Sequence, residues 1–181
     1  MEKKRITLII AIIAIVVLAS GITFALLVRN LEGETKLDLE VAGLKINYLK
    51  GTDIIGGTLS PTLNRLEEGS LSTEVELWKD TTDNLYGTIY LNVNTIGNNL
   101  KSDALNWEVW KGDTRLNFGT FTNINSGDIV KLTDAFSLSS DKTLYTVYVW
   151  LDDNLANSSM NGESFSGSIS VTATNEAPNG N

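Results

Sequence analysis

Oxygen-bearing side chains gather in one polar stretch near the C-terminus, between residues 152 and 163. Five of them are of the type that a hard cation such as calcium prefers as ligands: Asp152, Asp153, Asn154, Asn157 and Glu163. Counted from Asp152, Glu163 falls where an EF-hand loop has its last ligand, whereas Ala156 replaces a ligand and Asn157 replaces the glycine. The stretch therefore predicts either a calcium site or an ordinary solvated loop.

Four tryptophans, Trp78, Trp107, Trp110 and Trp150, supply a second candidate chemistry. Exposed indole rings stack on sugar rings, as in carbohydrate-binding jelly rolls. Trp107 and Trp110 are three residues apart, so on a strand they point to opposite faces and cannot both line one platform. We expect core packing for at least two of the four, with Trp78 or Trp110 as the exposed candidates.

Catalytic residues are scarce in this chain. Glu74 and Glu76 share one face of a predicted strand, but a glycosidase pair needs environments that separate the two pKa values, usually across a cleft. Two solvent-facing carboxylates are therefore the simpler interpretation. The sequence contains no His and no Cys, which excludes Ser-His-Asp triads, cysteine nucleophiles, the usual zinc ligands and disulfides. We expect a protein that is not an enzyme and has no cofactor other than calcium.

The charge is distributed unevenly along the chain. The formal net charge is −8, yet residues 1–30 carry Lys3, Lys4, Arg5 and Arg29 against Glu2 alone. Residues 31–181 therefore carry −11. Because phosphates would repel such an acidic domain, nucleic acid is not an expected partner.

The N-terminus has the pattern of an export signal. A basic start is followed by residues 6–28, which contain no charged side chain. This pattern predicts a hydrophobic helix within residues 1–30 that acts as a signal peptide or signal anchor. Basic residues hold the N-terminus in the cytoplasm, so the rest of the chain is delivered outside. Cleavage after Ala25 and retention as a membrane anchor both fit the sequence.

The strongest strand pattern lies at residues 144–151, and the rest of the domain is predicted to be arranged around this strand. Tyr145, Val147, Val149 and Leu151 point to one side of this strand, and Leu144, Tyr148 and Trp150 to the other. A strand that is apolar on both faces belongs in the middle of a structure. We therefore predict that it is the central strand of a two-layered β domain.

Apolar and polar residues also alternate in several other segments, which predicts strands at 36–41, 44–48, 74–79, 85–95, 106–110, 115–121 and 165–174. Segments 74–79 and 85–95 are predicted to form one hairpin, and segments 106–110 and 115–121 a second one. A further strand region at 127–138 is expected to bury Ile129 and Leu132. Residues 51–69 are predicted to be a loop, and residues 98–104 to hold one helical turn.

This spacing of short strands predicts an all-β domain over residues 35–174, an antiparallel β-sandwich of jelly-roll or immunoglobulin-like type. Residues 31–34 would be a short linker. The tail at 175–181 is predicted to be disordered from its composition.

Both ends of the chain resemble one family. Gly-Ile-Thr-Phe-Ala at residues 21–25 resembles the signals of exported Gram-positive proteins of the TasA/camelysin type. Val-Trp-Leu-Asp at 149–152 and the serine-rich segment 161–174 resemble the last two strands of that group. The resemblance implies a secreted β-sandwich, in some members a biofilm-fibre subunit held by an N-terminal strand that is given to a neighbour. No His-Glu-x-x-His is present, so protease activity is not implied.

These observations together predict a structural or adhesive protein at the cell surface or in the extracellular matrix. The alternative is a carbohydrate-binding module. Its expected partners are the membrane, through residues 6–28 if they are uncleaved, and further copies of itself or related surface proteins. Segment 36–41 would either pair with the sheet edge of a neighbour or complete the sheet of its own domain.

Overall fold

The computed structural model describes residues 43–49 and 52–178. Eleven strands follow one another in this part of the chain: β1 (Leu44–Tyr48), β2 (Ile54–Thr58), β3 (Pro61–Thr62), β4 (Leu71–Lys79), β5 (Tyr86–Ile96), β6 (Leu105–Lys111), β7 (Thr114–Thr120), β8 (Ile129–Lys131), β9 (Phe136–Ser137), β10 (Thr143–Asp152) and β11 (Ser164–Thr174). A short 3-10 helix, Asn98–Leu100, lies within the range predicted to hold a helical turn.

Several predicted segments lie outside the described residues. They are the hydrophobic helix within residues 1–30, the linker 31–34, the strand 36–41 and the end of the tail, residues 179–181. Among the described residues, no helix is long and apolar enough to cross a membrane.

The strands form two sheets. The β10 sheet has the order β1-β4-β10-β6-β7, with β3 added at the end of β10, and the β11 sheet has the order β2-β11-β5-β8, with β9 also on β5. All pairs are antiparallel except β3 with β10. Buried residues of both sheets form one hydrophobic core, the arrangement of a β-sandwich. The predicted all-β antiparallel architecture is confirmed.

The predicted central strand is β10, which lies between β4 and β6. Its inward row is buried, with Tyr145 2% exposed and Val147 fully buried. The other row lies on the outer face of the β10 sheet, the face turned away from the core. Thr146 in this row is buried, but Leu144 is exposed and Tyr148 and Trp150 are only partly covered. The strand is therefore central in its sheet but does not have both faces buried.

The second predicted hairpin is confirmed. Strands β6 and β7 pair through Lys111 and Thr114, and the intervening Gly112 has a φ of 53°, a left-handed conformation that a tight turn requires.

The first predicted hairpin is wrong. Strand β4 pairs with β1 and β10, whereas β5 pairs with β11, β8 and β9 in the other sheet. Each of the two strands has one buried row, for example Val75 in β4 and Ile89 in β5. Placing them in opposite sheets lets these rows meet across the core, which a hairpin within one sheet would not achieve.

The predicted loop at 51–69 contains two strands, β2 and β3. Alternation does not reveal β2 because Gly56 and Gly57 have no side chains. These glycines allow close contact, since a Cβ at Gly56 would lie 3.2 Å from the carbonyl oxygen of Phe165, and one at Gly57 would lie 2.9 Å from Leu71 Cδ2.

The predicted burial of strand region 127–138 is half right. Leu132 is fully buried, as expected, but Ile129 is 66% exposed. Ile129 lies opposite Asn92 on the short outer strand β8, and its neighbour Val130 packs against the core instead. Because successive residues of a strand point to opposite faces, a strand that buries Val130 exposes Ile129.

Candidate functional site

The polar stretch after β10 is organised by local hydrogen bonds. Asp152 Oδ1 accepts from the backbone N–H and the side-chain nitrogen of Asn154, both at 2.9 Å. Asn157 Oδ1 accepts from the backbone N–H of Ser159 at 3.0 Å and from its hydroxyl at 2.5 Å. Such bonds are typical of turns begun by Asp and Asn.

The carboxylate of Glu163 points to another partner. It accepts from the backbone N–H of Asn99 at 3.2 Å and from the Asn99 side chain at 2.5 Å, so it holds the 3-10 helix against this loop. Among the described residues, no group of three or more Asp, Glu, His or Cys side chains is placed to hold a metal ion. Calcium binding by Asp152, Asp153, Asn154, Asn157 and Glu163 stays a prediction.

The carboxylates of Glu74 and Glu76 lie on the outer face of β4 and are partly exposed. Glu76 accepts from Asn47 Nδ2 at 2.8 Å and forms an ion pair of 3.6 Å with Lys142 Nζ. The arrangement agrees with two solvent-facing side chains.

The expectation that two of the four tryptophans pack in the core is wrong. Trp107 is buried, at 6% exposure, whereas the other three are partly exposed on the outer face of the β10 sheet. The predicted opposite orientation of Trp107 and Trp110 is confirmed by this difference. Trp150 is on the outer face because it alternates with the buried Val149 and Leu151.

A charged and aromatic cluster covers part of this outer face. The Arg65 guanidinium lies 3.6 Å from the ring centroid of Trp110 and 5.3 Å from that of Tyr148. Glu108, only 8% exposed, accepts from Trp110 Nε1 at 2.7 Å. Its oxygens lie 3.6 Å from Arg65 Nε and 3.5 Å from Arg115 Nη1. We call these five residues the Arg65 cluster; it carries a net charge of +1.

Neighbouring strands and one loop position the Arg65 cluster. Glu108 on β6 lies opposite Tyr148 on β10, and Trp110 lies opposite Thr146. Arg65 comes from the loop 63–70, between β3 and β4. Sequence analysis missed Arg65 because no alternation pattern links this loop to the sheet. The one available signal is Glu108, a carboxylate between the apolar residues Trp107 and Val109.

A second feature is the uneven covering of β11. Strand β5 pairs with β11 from Phe165 to Thr174, but β2 pairs with it only from Ser164 to Ser168. Beyond β2, the N–H of Ile169 donates to the Asp53 carbonyl at 2.9 Å. The Ile169 carbonyl accepts from the Tyr48 hydroxyl at 3.0 Å. No other described strand pairs with the rest of β11 on this side, which we call the open edge.

Backbone groups of Val171 and Ala173 point to the open edge. Val171 lies opposite Ile89 on β5. The backbone of Ile89 is turned to the far side of β5, where its N–H donates to Thr133 Oγ1 and its carbonyl accepts from the Leu132 N–H. A pair of this type in an antiparallel ladder exchanges no hydrogen bonds, so the backbone of Val171 also faces away from β5. By the two-residue period, Ala173 does the same.

The core is also incompletely covered beside the open edge. Phe165 and Ile169, on the inward row of β11, are each 1% exposed. Val171 and Ala173 continue the same row but are only half-buried, although they pack against the core. The open edge therefore presents both backbone hydrogen-bonding groups and apolar side chains.

Tyr48 marks the boundary of the open edge. Burial raises the pKa of the Tyr48 hydroxyl well above its ordinary value of 10.0, and the negative charge of Asp53 raises it further. The hydroxyl therefore stays protonated even in alkaline solution in which an ordinary tyrosine ionises, and it remains a hydrogen-bond donor to the Ile169 carbonyl.

Comparisons with known proteins do not place the chain in a family. No family model, no curated protein and no solved structure matches it. The open edge of β11 and the Arg65 cluster are therefore the features from which a function has to be inferred.

Proposed function

We propose that this chain is an exported structural or adhesive protein whose subunits associate by adding a strand to the open edge of β11. The observation that supports this function is the combination of a half-covered core row with backbone groups of Val171 and Ala173 that no strand of the described residues pairs on the open edge. Strand addition uses main-chain hydrogen bonds for affinity and alternate side chains for specificity. An edge of this kind is a template for such pairing.

Segment 36–41 is the proposed strand donor. It alternates Leu37, Leu39 and Val41 with polar residues, so one face of the added strand would extend the apolar row of Val171 and Ala173. If the segment comes from a neighbouring subunit, repeated strand addition would produce a linear assembly of subunits. The same segment of its own chain is the alternative donor, because it precedes β1, whose Tyr48 already binds this edge.

The proposed location is the extracellular side of the membrane or the extracellular matrix. It rests on the basic start and the uncharged residues 6–28. The same proposal includes two further points: the chain is a member of the TasA/camelysin-like proteins, and its sandwich is of the jelly-roll or immunoglobulin-like type. Protease added to intact cells is expected to degrade residues 31–181, and complete protection in cells with an accessible surface would contradict export.

Two truncated chains separate the donors. A chain that begins at Leu26 contains segment 36–41, and a chain that begins at Ala42 lacks it. If subunits exchange the strand, light scattering shows concentration-dependent association of the longer chain only, and the shorter chain remains folded in thermal melts. If the longer chain stays monomeric at high concentration and the shorter one unfolds, the strand is intramolecular and the assembly proposal fails.

A proline variant tests the edge itself. Ala173→Pro removes an N–H that faces the open edge and leaves the hydrogen bonds to β5 intact. Thr120→Pro is the matched control on the edge strand β7. The N–H of the next residue, Phe121, donates to the Leu105 carbonyl of β6, so the N–H of Thr120 faces away from β6 towards solvent. We expect Ala173→Pro to abolish association of the longer chain and Thr120→Pro to preserve it. Equal association of both variants would place the contact elsewhere.

A carbohydrate-binding module is the second candidate function. The observation that favours it is the Arg65 cluster, which places Trp110 and Tyr148 together with charged groups on the outer face of the β10 sheet. This surface is separate from the open edge of the β11 sheet, so each function can be tested without the other.

A further inference from the structure

Unpartnered polar atoms gather beside the Arg65 cluster. In the part of the chain that the structure describes, four buried side-chain atoms have no hydrogen-bond partner: Thr62 Oγ1, Arg65 Nε, Thr73 Oγ1 and Trp150 Nε1. Thr73 belongs to the inward row of β4. The other three belong to β3, to the loop 63–70 and to the outer face of β10.

Strand register places Thr62 and Trp150 along one line on the outer face, and the contact of Arg65 with Tyr148 places Arg65 at the other end of it. Thr62, 3% exposed, lies opposite Asp152, and Trp150 is two residues before Asp152 on the same face of β10. Tyr148 is two residues further back, and the Arg65 guanidinium lies over its ring. Alternate residues of a strand are about 7 Å apart, so the line along β10 from Tyr148 to Asp152, beside which Thr62 lies, is about 14 Å long.

All three atoms can donate a hydrogen bond. Arg65 Nε lies 3.6 Å from Glu108, which is an ion-pair distance but too long for a hydrogen bond. A buried donor without a partner costs about 1–3 kcal/mol, so three in one region point to an acceptor that the protein alone does not supply. Arg65 carries the charge among the three, and in the Arg65 cluster two guanidinium groups share the single carboxylate of Glu108. The acceptor beside Arg65 is therefore expected to be negatively charged, whereas Asp152 already places a negative charge at the other end of the line.

We propose that this face binds an oligosaccharide that carries carboxylates, such as a chain of uronic acids. A carboxylate would accept from the Arg65 guanidinium, which suits paired hydrogen bonds. The apolar face of a sugar ring would stack on Trp110 and Tyr148, and hydroxyl oxygens would accept from Trp150 and Thr62. The inference rests on the second candidate function, not on strand addition.

The loop 63–70 provides access to this face. Its hydrogen bonds are largely internal, since Glu67 accepts from the Leu63 N–H at 2.8 Å and from Asn64 Nδ2 at 2.7 Å, and the Ser70 hydroxyl donates to the Arg65 carbonyl at 2.7 Å. Leu63 and Leu66 are 65% and 67% exposed, so they do not anchor the loop to the sheet. Movement of the loop as a unit would lift Arg65 from Trp110 and free the ring for a sugar.

Calorimetric titration of the full chain in detergent tests the site. The probe is trigalacturonate; maltotriose is the uncharged trisaccharide control, and acetate tests a carboxylate without a sugar. We expect saturable binding of trigalacturonate alone. Arg65→Lys keeps the charge but loses the planar guanidinium, so binding should weaken roughly tenfold. Trp150→Phe loses one donor and should weaken binding roughly fivefold.

Two further variants serve as controls. Trp78→Phe changes an outer-face tryptophan that contacts Lys142 instead, and Ala173→Pro changes the open edge; both should bind trigalacturonate as the parent does. Absence of binding, equal binding of maltotriose, or parent-like binding by Arg65→Lys and Trp150→Phe would overturn the proposal. Thermal melts of each variant separate a lost site from a lost fold.

Discussion

Replacement of Glu108 by Gln measures how much the Arg65 cluster stabilises the fold. Glu108 is 8% exposed and lies between two guanidinium groups, those of Arg65 at 3.6 Å and Arg115 at 3.5 Å. Gln has the same size and keeps an acceptor for the Trp110 N–H, which donates at 2.7 Å. The substitution therefore removes little more than the negative charge.

The expected loss of unfolding free energy follows from the exposure of the partners. Breaking a fully buried ion pair costs about 3–5 kcal/mol, and an exposed pair contributes about 0–1 kcal/mol. The side chains of Arg65 and Arg115 are 23% and 46% exposed, so water screens part of both interactions. We expect Glu108→Gln to lose about 2 kcal/mol, between these limits.

Glu76→Gln is the matched control on the neighbouring strand β4. Glu76 pairs with Lys142, whose side chain is 57% exposed, so the expected loss is below about 1 kcal/mol. Urea denaturation followed by tryptophan fluorescence gives both values. An unchanged or raised stability of Glu108→Gln, or a loss no larger than that of Glu76→Gln, would refute this account of the cluster.

Three further predictions concern the core. A Cβ at Gly119 would lie 2.6 Å from Trp107 Cζ2, so Gly119→Ala should lower stability by about 1–3 kcal/mol in a urea titration. Phe165→Ala removes a fully packed ring that meets Phe121 edge-on at 5.1 Å, and should cost about 3–5 kcal/mol in the same assay. Burial raises the pKa of Tyr145 from 10.0 to about 12. The contribution of the protonated Tyr145 hydroxyl to the free energy of unfolding is therefore fully present below pH 10 and is lost as the pH rises through about 12. Tyr145→Phe should therefore lose less stability than the parent over this interval, measured by melts at successive pH values.

Local patterns predicted much of the fold. A nearly continuous apolar run at residues 144–151 located β10, and a four-residue turn located the β6–β7 hairpin, because both signals lie within a few adjacent residues. The sheet to which β4 and β5 each belong could not be predicted in this way, because alternation shows which face of a strand is buried and not which strand is its partner. Strand β2 was hidden because Gly56 and Gly57 contribute backbone but no side chain to the pattern.

The candidate site could be predicted only in part. Trp110 was recognised as an exposed candidate from the opposite orientation of Trp107, which is a property of one strand. Arg65 could not be recognised, since it meets Glu108 and Tyr148 through the path of a loop between distant strands. Trp150 lies on a strand that the sequence predicts to be central and apolar on both faces, whereas the row that contains Trp150 faces outward and is only partly covered.

Hydrogen exchange at the open edge tests strand addition most directly. We expect slow exchange of the Val171 and Ala173 amides in the chain that begins at Leu26 and fast exchange in the chain that begins at Ala42. The Ile169 amide, which donates to Asp53, should be protected in both and serves as the internal control. Protection that disappears on dilution identifies a neighbouring subunit as the donor. Fast exchange of Val171 and Ala173 in both chains at every concentration would contradict the account.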